Sequence, residues 1–196
     1  MLTVEKTIRW LNLFGQKVEE KKVYLSELDQ AIGDGDHGTN MARGTAAMKT
    51  VLEQKAYDTV QDVLKTAGMA LLSKIGGASG PLYGSAFIGM AKQAGEGAAD
   101  VSAILEAGLE GIRKRGNAEA GDKTMVDVWL PAVDAVKNKE LSRERIDEWV
   151  KATEPMKAKK GRASYLGERS IGHMDPGAVS SGLLFESMIE EGVLDE

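Results

Sequence analysis

Asp29, Asp34 and Asp36 place three carboxylates within eight positions, in the run Asp29-Gln30-Ala31-Ile32-Gly33-Asp34-Gly35-Asp36-His37-Gly38. On a tight, glycine-permitted turn these charges repel one another unless a cation neutralises them. Hard divalent ions such as Mg²⁺ prefer carboxylate oxygens and usually keep phosphate or water as further ligands, so the chemistry such a cluster fits is metal-held phosphate. Simpler readings exist for the same residues. Asp29 follows Ser26 at capping-box spacing, and Asp36 could cap the next helix alone. An EF-hand is excluded by count: from Asp34, the fifth ligand position is Gly38, and the twelfth is Thr45 where a glutamate is required. Zinc is disfavoured, because the chain has no cysteine and only two histidines, His37 and His173.

Three other segments have unusual composition. Gly76-Gly77-Ala78-Ser79-Gly80-Pro81 is rich in glycine, which lets backbone amides approach a ligand. Gly116-Asn117-Ala118-Glu119-Ala120-Gly121-Asp122-Lys123-Thr124 is almost a P-loop, but Asp122 interrupts the Gly-Lys junction and a helix rather than a strand precedes it. It is not a Walker motif; Lys123 or Thr124 is expected near a pocket, with Asp122 as a cap. The long stretch from Lys159 to Met174 carries Arg162 and Arg169, whose guanidinium forks suit phosphate oxygens, and a loop of this length could close as a lid. Lys157, Lys159 and Lys160 read as solvated. Ser79 has no His-Asp partner nearby in sequence, so no hydrolase triad emerges. His37 is open to three roles: metal ligand, phosphate contact, or a supporting group satisfied within the protein. His173 is expected only to orient the last helix start.

The elements that must position these residues are helical. Apolar residues recur at helical spacing nearly throughout, and two-residue alternation is scarce. Eight helices are expected. Val4, Ile8, Leu11, Phe14 and Val18 stripe the first, and the second runs from about 39 to 53. The third follows an Asp58 cap, the fourth spans about 81 to 93, and the fifth begins behind Asp100. The sixth covers about 123 to 137 with a kink at Pro131, the seventh follows a Ser142 cap, and the eighth starts at Asp175-Pro176. Trp10, Trp129 and Trp149 are expected in the core. Short connections favour antiparallel neighbours. The connections before helices two, four, six and eight then share one end, and these are the four unusual segments. The remaining three, around 54–57, 95–99 and 138–141, hold ordinary turn residues. Each special loop leads into a helix N-terminus, whose free amides and positive dipole end suit phosphate.

Bulk properties narrow the class. The chain has 196 residues and a formal net charge of −5, which argues against a general nucleic-acid binder. The absence of cysteine fits a reducing, cytoplasmic setting, and neither a signal peptide nor a membrane-length apolar run is seen.

With these residues in place, the chain resembles the nucleotide-binding L subunits of dihydroxyacetone kinases. The resemblance rests on Gly33 to Gly38, Gly76 to Gly84, Gly121 to Met125 and Lys160 to Gly177, four motifs in fixed order spanning essentially the whole chain. It implies an all-α, eight-helix antiparallel up-and-down barrel in one domain, with ADP or ATP at one end. Asp29, Asp34 and Asp36 would hold two Mg²⁺ ions. His37, Gly38, Thr39, Asn40, Ala78 and Ser79 would meet the phosphates. Gly116, Thr124, Met125, Arg162, Asp175, Pro176 and Gly177 would complete the nucleotide site. No catalytic side chain is implied. A separate K subunit would hold dihydroxyacetone, and a phosphohistidine carrier, the M subunit, would rephosphorylate bound ADP. Rival expectations are an ATP-dependent kinase subunit for another acceptor, an ADP-loaded partner of a transcription regulator, and a helical scaffold that binds no nucleotide.

Overall fold

A computed structural model describes residues 2–97 and 100–195. Among these residues the structure is helical, without strands. The helices are α1 (Val4–Ile32), α2 (His37–Glu53), α3 (Val60–Lys74), α4 (Ser79–Gly95), α5 (Val101–Gly116), α6 (Val126–Lys137), α7 (Arg143–Ala152) and α8 (Pro176–Glu190). A 3₁₀ stretch, Arg162–Ser170, precedes α8 and is broken at Gly167. Of the 95–99 connection, Ala98 and Ala99 lie outside the described residues.

Helix α1 does not restart at Ser26 or Asp29. It runs unbroken for 29 residues, because the stripe continues past Val18: Leu11, Val18, Leu25 and Ile32 recur every seven residues and are all buried. Asp29 therefore sits in the last turn of one helix rather than the first turn of another. Thr59, not Asp58, caps α3, in a reciprocal pair where Asp62 N–H donates to Thr59 Oγ1 and that hydroxyl donates to Asp62 Oδ2. The expected caps at Asp100, Ser142 and Asp175 all accept a backbone N–H. Helix α6 starts at Val126, three residues later than the periodicity predicts, and contains Pro131 within its length.

Successive helices pack side by side from α1 to α6, α7 and α8 pack on α6 and on each other, and α8 returns to α1, so the array closes into a barrel. Trp10 and Trp129 are fully buried. Trp10 donates from Nε1 to the Leu184 carbonyl at 2.9 Å, and Trp129 meets the Phe185 ring edge-on at 5.1 Å. Trp149 is only partly buried, packed on the core from outside. No helix among the described residues is long and apolar enough to cross a membrane.

Candidate nucleotide-phosphate site

One cavity of about 520 Å³ opens at a single pole of the barrel, within the range of small-ligand sites. Its wall holds the C-terminal ends of α1 and α5 and the first residues of α2, α4, α6 and α8. Odd helices arrive there and even helices depart, which is the geometry the up-and-down arrangement requires. All four unusual segments contribute: Gly33 to Asp36, Gly76 to Ser79, Gly116 to Met125, and Lys160 to Gly177.

The carboxylates of Asp29, Asp34 and Asp36 each offer an oxygen, and these oxygens all lie within 4.8 Å of one another. Oxygens across one Mg²⁺ are separated by about 4.2 Å, so the donor set suits a hard divalent ion. Asp29 is held for this arrangement. Its Oδ2 accepts from the backbone N–H groups of Asp36 and His37 at 2.9 and 3.1 Å, so the end of α1 caps the start of α2. A Cβ at position 33 would fall on the Asp29 carboxylate, so glycine there leaves Oδ1 room for a ligand. Asp36 occupies the cap position of α2, yet its side chain makes no capping bond. Arg162 reaches in from the 3₁₀ stretch, with Nη2 3.1 Å from Asp34 Oδ2.

Of the sixteen expected site residues, fourteen line the cavity; Gly38 and Thr39 do not. Gly38 is buried where α2 crosses α1, and a Cβ would collide with the Lys22 carbonyl oxygen. The Thr39 amide donates to Ser26 Oγ on α1. Gly38, about 100° around α2 from His37, faces α1, and Thr39, about 200° around, is exposed. Arg169 and His173, also weighed from sequence, are exposed and off the cavity.

His37 lines the cavity and is at the same time satisfied within the protein. Its ring is buried and bridges two serines, with Nδ1 3.1 Å from Ser79 Oγ and Nε2 3.0 Å from Ser180 Oγ. The chain continues from Ser180 through the Tyr83 hydroxyl to Ser181 and the Trp129 indole. Burial pushes the imidazole pKa down to about 4, against the opposing pull of Asp36. A folded value below the unfolded one makes stability greatest above about pH 6.5 and lost as pH falls toward 4, by about 3 kcal/mol in all. NMR titration of the His37 ring is expected to show no midpoint above about pH 5; a midpoint near the unperturbed value would contradict this environment.

Asp175 caps α8 by accepting from Ala178 N–H at 2.8 Å. Burial, opposed by that bond, and the neighbouring Asp127 raise its pKa to about 7. Asp127 in turn accepts from Gly121 and Thr124 N–H at 2.6 and 2.8 Å, shaping the turn before α6. Sequence inspection missed the apolar wall. Ile32, Leu82, Ile112, Ala118 and Val126 line the cavity, and such a surface suits a nucleobase. They follow the same stripes as core residues, so nothing in their spacing separates them from packing.

Clustered carboxylates, four helix starts and an apolar wall meet in one cavity of an all-helical barrel, an arrangement that suits a ligand with both charged and apolar parts. The DAK2 domain family matches residues 31–190, and the chain belongs to that family. It is 54% identical over 189 residues, covering 95% of this chain and 96% of the relative, to the ADP-binding subunit DhaL of PEP-dependent dihydroxyacetone kinase 1 from Listeria innocua. It is 52% identical to the DhaL subunit of the PTS-dependent kinase from Lactococcus lactis, covering 97% and 98% of the two chains. Against the Escherichia coli DhaL subunit the identity is 41%, over 91% and 92%. The crystal structure of the C. freundii dihydroxyacetone kinase in complex with AMP-PNP and Mg²⁺ shares the fold, with a TM-score of 0.77 at 23% identity. That match covers 97% of this chain and 34% of the kinase, so the chain spans about a third of it.

Proposed function

We propose that the chain is the ADP-binding phosphotransfer subunit of a phosphoenolpyruvate-dependent dihydroxyacetone kinase. The observation that carries this is the convergence of Asp29, Asp34 and Asp36 with the N-termini of α2, α4, α6 and α8 around one cavity. Relatives matched over nearly their whole length carry that function in their names, which supports the choice of donor.

In this scheme the apolar wall receives the adenine and the helix starts receive the phosphates. Ser79 presents its hydroxyl to a phosphate oxygen, oriented by the neutral His37 ring behind it. Asp29, Asp34 and Asp36 hold two Mg²⁺ ions, which when bound supply the positive charge that lets carboxylates and phosphates share one site. Arg162, paired with Asp34 in the structure, would fork onto the terminal phosphate. The phosphohistidine of an M-type carrier loses its N–P bond as a terminal oxygen of ADP bonds to phosphorus. The γ-phosphoryl then moves to a hydroxyl oxygen of dihydroxyacetone on a K-type subunit, which takes the hydroxyl proton. This chain contributes position and charge rather than a proton acceptor, since both His37 nitrogens are engaged.

Reconstitution with a dihydroxyacetone-loaded K subunit, the carrier and phosphoenolpyruvate tests the scheme. Dihydroxyacetone phosphate is expected only with the carrier present, while labelled free ATP does not exchange into the bound nucleotide during turnover. Turnover driven by free ATP without the carrier would instead identify an ATP-dependent kinase subunit.

A further inference from the structure

Lys123 lies in the segment that resembles a phosphate loop, yet its ammonium is engaged by main-chain carbonyl oxygens. The residue is 1% exposed. Its Nζ lies 2.8 Å from the Ser170 carbonyl oxygen, 2.9 Å from that of Thr153, 3.0 Å from that of Met156 and 3.3 Å from that of Glu154. Three N–H groups thus serve four main-chain acceptors.

These carbonyls share a topological position. Residues 153–156 begin the excursion that carries Arg162, and Ser170 ends it, so one cation draws both ends together. Other bonds close the same neck. Gly172 N–H donates to the Glu154 carbonyl at 2.8 Å, Ala158 N–H to Ser170 Oγ at 2.9 Å, and Lys159 N–H to the Asp122 carbonyl at 3.1 Å. In the other direction Lys123 is covalently continuous with Thr124 and Met125, which line the cavity. Its backbone has φ 62, in the left-handed region that a side-chain-bearing residue seldom adopts. The conformation is held by Asp127, which fastens the amides on both sides at Gly121 and Thr124.

Two of these carbonyls also accept an amide, Glu154 from Gly172 and Thr153 from Met156, whereas those of Met156 and Ser170 depend on the ammonium, and all four converge on one compact, multivalent donor. An ammonium provides one, whereas a planar guanidinium directs its donors into a fork. An apolar side chain of equal length would leave the buried Ser170 carbonyl and the part-buried Met156 carbonyl without a donor.

We infer that Lys123 is a positioning residue for the nucleotide site: it clasps both ends of the 153–170 excursion to the start of α6 and so sets Arg162 beside Asp34. The inference rests on the Mg²⁺-ADP reading of the cavity, and its test separates the two. ADP release is measured in Mg²⁺ for the natural chain, Lys123→Met, Arg162→Ala and the double variant. Each single change is expected to speed release about tenfold, and the double change no more than about tenfold, because Lys123 acts through Arg162. A double variant near a hundredfold, or an Arg162→Ala protein that releases ADP like the natural chain, would overturn the inference. A natural chain that fails to bind Mg²⁺-ADP would instead refute the reading beneath it. Hydrogen exchange on the natural chain gives a readout that survives misfolding of Lys123→Met. The amides of Ala158, Lys159 and Gly172 are expected to exchange at least about 100-fold more slowly than those of 163–166, with or without ADP. Neck amides exchanging as fast as that tip would also overturn it.

Discussion

Asp36→Asn is expected to weaken Mg²⁺-dependent ADP binding by at least about 100-fold, or about 3 kcal/mol, while leaving the fold intact. The asymmetry follows from what each carboxylate does in the structure. Asp36 makes no capping bond despite its position at the start of α2, so its charge serves no local backbone group. Asparagine keeps the shape, and without a cation it relieves repulsion from Asp29 and Asp34. Thermal midpoints with and without the substitution should therefore agree within about 2 °C. Asp29→Asn is the contrasting case, because Asp29 also accepts from the Asp36 and His37 amides. It should lose both nucleotide binding and about 1 kcal/mol of stability. Calorimetric titration and thermal melts distinguish these outcomes. Unfolding of Asp36→Asn would return the acidic turn to a structural role, and full ADP affinity would remove Asp36 from the metal site.

Gly38→Ala is expected to act through packing. A Cβ at this position collides with the Lys22 carbonyl, part of the rigid backbone of α1, and approaches Ser26 Oγ at 2.7 Å. The two helices must separate, at about 3 kcal/mol, lowering the thermal midpoint on the order of 10 °C. Because the first turn of α2 carries His37 and follows Asp36, ADP affinity should fall with it. The family resemblance places Gly38 among the phosphate contacts. A Gly38→Ala protein of unchanged midpoint but weakened ADP binding would bear that out and contradict the packing role.

These two residues also mark what the sequence could and could not reveal. The helices were readable because apolar spacing and caps agree, as at Asp100, Ser142 and Asp175-Pro176. The convergence of the four odd loops was readable too, since short connections leave little alternative to antiparallel neighbours. Asp29 was harder. Its spacing from Ser26 mimics a helix start, and only the seven-residue recurrence through Leu25 and Ile32 shows that α1 runs past it. Lys123 sat in the right segment, but the direction of its ammonium depends on carbonyls some 30 and 47 residues away, which no local pattern encodes. His37 likewise finds Ser180 across 143 positions of sequence. The apolar wall was hidden for the opposite reason: Ile112 and Val126 satisfy the helical stripe whether they meet a core or a ligand. Polar residues clustered locally were thus legible as a site, whereas partners brought together by barrel closure were not.

The most direct measurement of the central claim is ADP binding by calorimetry on the purified, nucleotide-stripped chain, once with Mg²⁺ and once with EDTA. Saturable binding with Mg²⁺, weakened by about 100-fold or more on chelation, is the expected result. Equal affinity in both conditions, or no binding in either, would contradict a site in which Asp29, Asp34 and Asp36 hold the phosphates through a metal.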